Sequence, residues 1–221
     1  MFSLLLAVIY LAFISLGLPD SLLGSVWPTI YQEFNVPVSY AGAIFMIISA
    51  GTIFSSLQSD RLTKLLGTGK VTAFSVLMTA VALWGFSISS SYWMLVLWAI
   101  PYGLGAGSVD ASLNNYVALH YKSHHMSWLH CMWGVGASIG PYIMSFALVN
   151  GQTWNMGYRY ISLIQVALTI IIMLSLPLWK KRPVISDIQE AKNEKDKVLT
   201  LKEIFNIPGA KQLMLMFFCY C

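Results

Sequence analysis

Long apolar runs alternate with brief polar interruptions along this chain. Runs of about 20 residues or more, enough for a helix to cross a hydrocarbon core of ~30 Å, fall near residues 3–30, 38–58, 70–90, 92–119, 127–149 and 158–179. A seventh opens near residue 209 and stops at Cys221 after roughly 13 residues, which falls short of a crossing at ~1.5 Å per residue. The pattern predicts an all-α polytopic membrane protein, with residues 1–179 forming a domain of six transmembrane helices. Residues 180–208, KKRPVISDIQEAKNEKDKVLTLKEIFNIP, read as a charged, mixed-sign linker. Residues 209–221 are expected to be an incomplete seventh helix.

Composition narrows the class. The 221 residues are 57% hydrophobic and only 10% charged, with a mean hydropathy of +0.67, which excludes an ordinary soluble domain. The few cations set an orientation, because Lys and Arg gather at cytoplasmic helix ends. Arg61, Lys64 and Lys70 lie between the second and third runs, Lys122 between the fourth and fifth, and Lys180, Lys181 and Arg182 after the sixth; Arg159 stands alone on the other side. The expectation is a cytoplasmic N-terminus and a cytoplasmic linker. The net charge of +4 is thus a topology signal, and no nucleic-acid partner is implied. Residues 1–18 lack a basic leading region and a small-x-small cleavage site, so they read as a retained span. Cys131, Cys219 and Cys221 all sit in apolar runs, and no structural disulfide is expected.

The candidate chemistry lies inside the spans. The six runs divide into two sets of three, and the first helix of each set carries an acid, Asp20 and Asp110. Inverted repeats of three helices commonly build half of a transporter, with the solute site near the midplane where repeats meet. At 100° per residue, Gly103, Gly107, Asp110 and Asn114 share one stripe, and the glycines permit close backbone approach. A carboxylate within a membrane is costly whether charged or neutralised, so a proton-binding or solute-binding role competes with a purely structural hydrogen bond. In GLPDSLLGSVWP, Phe13, Gly17, Asp20, Gly24 and Trp27 form a similar stripe, and Pro19 predicts a bend beside the acid. Counting from the cytoplasmic ends places Asp20 roughly 25 Å in and Asp110 roughly 13 Å in, which favours separate roles over a directly paired dyad.

The fifth run, SWLHCMWGVGASIGP, places His130, Gly134, Ala137 and Pro141 on one stripe with Trp133 at its edge. An imidazole and an indole there can hydrogen-bond or stack on a sugar-like solute; a packed histidine and an aromatic helix contact are the alternative. Gly136 and Gly140 form a small-xxx-small pair suited to helix packing. His120, His124 and His125 fall in a basic connection without a neighbouring acid or thiol to complete a metal site. The remaining tryptophans mostly fall at span ends, where an interfacial belt is expected. No hydrolase, protease, P-loop or dinucleotide signature is present, so neither an enzyme nor a cofactor is expected.

These residues resemble the N-terminal half of a major facilitator superfamily transporter. SDRLTKLLGTGK is similar to the superfamily's signature between the second and third spans, retaining the Asp60–Arg61 core while Ser56 and Thr63 replace the usual glycines. Within the superfamily the chain is most similar to the fucose permease branch and its bacterial relatives, through Asp20 in GLPDSLL, Asp110 and Asn114 in GxGxxxDxxxNxxV, and His130 and Trp133 in LHxxWGxGAxxGP. The resemblance implies proton coupling and sugar binding at Asp20 and Asp110, a gating role for Asp60 and Arg61, and residence in a bacterial plasma membrane. It also implies a twelve-span protein whose C-terminal six-helix half is missing here. Fucose permease carries Gln and Asn where this chain has His130 and Trp133, so the implied cargo is a sugar or sugar-like solute. A transport-inactive product acting only through a membrane partner, and an exporter of drugs or metabolites, are the competing expectations.

Overall fold

The computed structural model describes residues 4–179, 207, 209–212 and 216. Beyond the bundle, the expected linker and seventh helix otherwise lie outside the described residues, as do Lys180, Lys181, Arg182, Cys219 and Cys221. The first span runs as two helices, α1 (Leu4–Asp20) and α2 (Leu22–Glu33), followed by α3 (Tyr40–Leu66), α4 (Thr68–Ser87), α5 (Tyr92–His120), α6 (Ser123–Val149) and α7 (Trp154–Trp179). No strand occurs among the described residues. Taking α1 and α2 as one unit, six spans among the described residues are long and apolar enough to cross a membrane.

Two boundaries differ from the sequence expectation. The SDRLTKLL segment is the last part of α3, not a loop. No proline or glycine interrupts it, and Thr63 returns its hydroxyl to the carbonyls of Ser59 and Asp60 at 2.9 and 3.0 Å. The connection to α4 reduces to Gly67, whose φ of +84° ends one helix and caps the next. The histidine connection is likewise shorter: His120 ends α5, and His124 and His125 belong to the first turn of α6.

Helix pairing matches the two expected repeats. The main contacts join α1 with α6, α3 with α5, α4 with α7 and α4 with α5, and lesser ones join α7 with α1 and with α6. Exchanging the sets (α1 for α5, α3 for α6, α4 for α7) maps the first pair onto the second, the α4–α7 pair onto itself, and α4–α5 onto α7–α1. Glycine sets the distance in both related pairs. A Cβ on Gly107 would strike the Thr52 carbonyl of α3, and one on Gly136 would strike the Ile14 carbonyl of α1, so any larger residue would push the helices apart. Gly136 and Gly140 therefore serve helix packing, as their spacing suggested.

The interior is divided into layers. One apolar cluster gathers Leu5 to Leu16 of α1 with Val109, Leu113, Leu129 and Ile172. A second gathers Leu18 to Ile30 with Leu83, Leu95, Met144 and Ile161. Between them along α7 lie buried Gln165 and Thr169, and along α4 Thr79. Outward faces keep large apolar side chains, including Phe54 at 61% and Leu174 at 77% exposure, as a lipid-facing surface requires. Not every tryptophan belongs to an interfacial belt. Trp154 is fully buried, and its indole donates to Glu33 Oε2 at 2.6 Å.

Candidate functional site

The first span is broken beside its acid. Pro19 has no amide hydrogen, so the carbonyl of Ser15, one turn earlier, loses its helical partner, and α1 gives way to α2 at Ser21. That carbonyl accepts instead from Nε2 of Gln165 on α7. A matching arrangement lies across the α1–α6 contact. Pro141 withholds an amide from the carbonyl of Ala137, and the Ser21 hydroxyl donates to it at 2.7 Å. These two backbone acceptors, opened by Pro19 and Pro141, are thus satisfied by side chains of neighbouring helices, as burial away from water demands. Asp20 sits between the two repairs.

The Asp20 carboxylate holds one donor on each oxygen. Tyr102 of α5 donates its hydroxyl to Oδ1 at 2.9 Å, and Trp133 of α6 donates Nε1 to Oδ2 at 2.8 Å. A carboxylate has about four acceptor positions, so each oxygen keeps capacity for a solute hydroxyl. Gly17 lets α6 come this close, because a Cβ there would collide with the backbone of Trp133 and Ala137.

Asp110 has separate company. Asn114, one turn on, donates Nδ2 to Asp110 Oδ1 at 3.0 Å, while its own Oδ1 is buried without a partner among the described residues. His130 meets the ring of Phe13 edge-on at 5.9 Å between centroids. No hydrogen bond joins the two carboxylates among the described residues.

One cavity of about 370 Å³ collects most of these groups: Asp20, Tyr102, Asp110, His130 and Trp133 line it with Thr52, against apolar Phe13, Leu16, Ile48 and Ala106. The predicted residues Asp20, Asp110, His130 and Trp133 therefore share one space, whereas Asn114 reaches it only through Asp110. Trp27, on the predicted stripe of the first span, turns to the core and donates to the Val38 carbonyl at 2.8 Å. Asp60 and Arg61 lie on the exposed far end of α3, with Asp60 3.4 Å from Lys64. Of the three histidines, His120 bonds the Tyr116 carbonyl at 2.9 Å and His125 the Tyr10 hydroxyl at 2.9 Å. No group of potential metal ligands forms among the described residues.

Sequence reasoning missed Tyr102, Thr52 and Gln165. Tyr102 had a signal, since Tyr102, Ala106 and Asp110 recur every fourth residue and so form a row on α5. Thr52 and Gln165 had none, because their roles depend on which helix faces them.

A solute-sized cavity that carries two acids between layers of apolar helices defines a polytopic integral membrane protein of the transporter kind. The chain belongs to the Major Facilitator Superfamily, whose sequence profile matches residues 9–221. It is similar to "Bypass of stop codon protein 6" of Saccharomyces cerevisiae, 23% identical over 154 residues, covering 65% of this chain and 29% of that protein. It is also similar to "Uncharacterized transporter y4wD" of Sinorhizobium fredii, 25% identical over 116 residues, 51% of this chain and 31% of the relative. A third relative, "Glucose/mannose transporter GlcP" of Bacillus subtilis, is 21% identical over 151 residues, 67% of this chain and 37% of the relative. The chain spans about a third of the length of the curated relatives it matches.

Proposed function

We propose that this chain forms the N-terminal half of a proton-coupled symporter for a sugar or sugar-like solute, working by alternating access with its N-terminus in the cytoplasm. The observation that carries the reading is that one acid from each repeat, Asp20 and Asp110, opens onto a single cavity while keeping separate hydrogen-bond partners. Asp20, braced by Tyr102 and Trp133, accepts solute hydroxyls. Asp110 takes up and releases the proton, with His130 lining the same cavity beside it. Phe13 and Trp133 offer aromatic faces to the apolar side of a sugar ring. A C-terminal six-helix half supplies the opposite wall, and rocking of the halves exchanges access. Asp60 and Arg61, at the far end of α3, act against that half as a gate. The resemblance to a glucose/mannose transporter supports a hexose as the first solute to try.

Uptake of radiolabelled glucose into vesicles carrying the protein with its C-terminal half tests this. Uptake should rise when the outside is made acid, and Asp110→Asn should abolish that dependence while solute exchange at equal pH persists. Asp20→Asn should lower solute affinity. A pH dependence that persists unchanged in both variants overturns the coupling.

A further inference from the structure

A second cavity, of about 210 Å³, adjoins the first and shares Asp20, Ile48 and Tyr102 with it. Asp110, His130 and Thr52 do not line it. Beyond the shared Asp20, Ile48 and Tyr102, its walls are Pro19, Leu23, Phe45, Leu83, Phe86 and Tyr158. Phe86 lies against Tyr158 at 5.4 Å between centroids and 31° between planes, and against Tyr102 at 6.3 Å and 65°. Together they make an aromatic-walled slot. Tyr102 has already given its hydroxyl hydrogen to Asp20. Tyr158 is 2% exposed, and among the described residues its hydroxyl makes no hydrogen bond, although it lines the slot.

We propose that this slot receives an aromatic group of the transported solute, so that the preferred cargo is an aryl-substituted sugar or comparable amphipathic molecule rather than a bare hexose. The inference rests on the sugar-binding reading of the first cavity. Three observations carry it: the slot adjoins the first cavity at Asp20, four of its lining side chains are aromatic, and one of these is a phenol with no hydrogen-bond partner among the described residues. A single ring fits, since an apolar cavity of about 150 Å³ accepts benzene. In the bound arrangement the sugar hydroxyls meet Asp20 and Trp133, the aryl ring enters beside Phe86, and a polar substituent on that ring meets Tyr158.

The test is calorimetric binding to this chain assembled with its C-terminal half in lipid nanodiscs, with methyl β-D-glucopyranoside, phenyl β-D-glucopyranoside, 4-hydroxyphenyl β-D-glucopyranoside and 4-hydroxybenzyl alcohol as probes. The phenyl glucoside should bind at least roughly tenfold tighter than the methyl glucoside, from the apolar area its ring buries. Leu83→Phe, which fills the slot, should remove the difference. Should Leu83→Phe fail to fold, Tyr158→Phe serves, since it keeps the shape and should cost 4-hydroxyphenyl β-D-glucopyranoside its advantage over the phenyl compound. Equal binding of the methyl and phenyl glucosides overturns the slot and leaves the sugar reading standing. Binding of 4-hydroxybenzyl alcohol alone, weakened by Tyr158→Phe, supports the slot and overturns the sugar reading. If none of the probes binds, both fall.

Discussion

The indole of Trp133 on α6 points its Nε1 at Asp20 on α1, 2.8 Å from Oδ2, and so ties the fifth span to the break in the first. The donor serves a carboxylate that also faces the cavity, so its loss reaches solute binding before it reaches stability. A hydrogen bond to a charged group contributes about 1.5–3 kcal/mol. Trp133→Phe should therefore raise the half-saturating solute concentration by roughly tenfold or more, with a smaller change in maximal rate. Initial-rate uptake over a concentration series separates the two; a fall in maximal rate alone would contradict this role for the indole.

The proline repairs predict a specific non-additivity. Gln165→Leu leaves the Ser15 carbonyl without a donor in the buried interior and should cost about 1–3 kcal/mol. Pro19→Ala returns a backbone amide at the position that serves that carbonyl. In the Pro19→Ala background, Gln165→Leu should cost markedly less. Thermal unfolding of the four proteins in detergent measures the coupling directly, and strictly additive losses would refute it.

Close helix contact makes Gly136 intolerant. Gly136→Val places branched carbons where the Ile14 carbonyl already stands, and overpacking of this kind costs about 1–3 kcal/mol or more. Gly134, one turn from His130, has open space where a Cβ would go, so Gly134→Ala should leave the melting midpoint nearly unchanged. Comparing the two midpoints separates packing glycines from those merely present in the motif.

Surface charge on α3 should matter little to folding. Asp60 and Lys64 form an exposed pair, 47% and 44% accessible, one turn apart. Such pairs contribute about 0.3–0.5 kcal/mol, so Lys64→Ala should lower the stability measured by thermal unfolding by no more than that. A larger loss would mean that the pair braces α3 by a route its exposure does not suggest.

The spans and their number were legible because an apolar run of membrane length has few other uses. Pro19 also announced the break in the first span from sequence alone. The repair of that break was not legible: nothing local to Gln165 says that it faces Ser15 across the bundle, since that depends on how α7 is rotated. The SDRLTKLL segment misled for a related reason, because its charges suggested a loop while its residues contain no helix breaker before Gly67. Among the cavity residues, acids and rings on glycine-lined stripes were visible as candidates. Trp27 looked equivalent to them on a helical wheel, yet its indole serves the α2–α3 connection, because a wheel gives a face without saying what that face meets.

The break at Ser21 also divides the first span mechanically. α2 has 12 residues, which at ~1.5 Å each makes a lever of about 18 Å. A pivot of roughly 10° at Ser21 would swing its far end by about 3 Å while Asp20, beside the fulcrum, hardly moves. That far end is tied by Trp27 to Val38 and by Glu33 to Trp154, so such a swing would draw the α2–α3 connection and the first turn of α7 along with it. The solute-facing acid would stay in place as the mouth around it changed width.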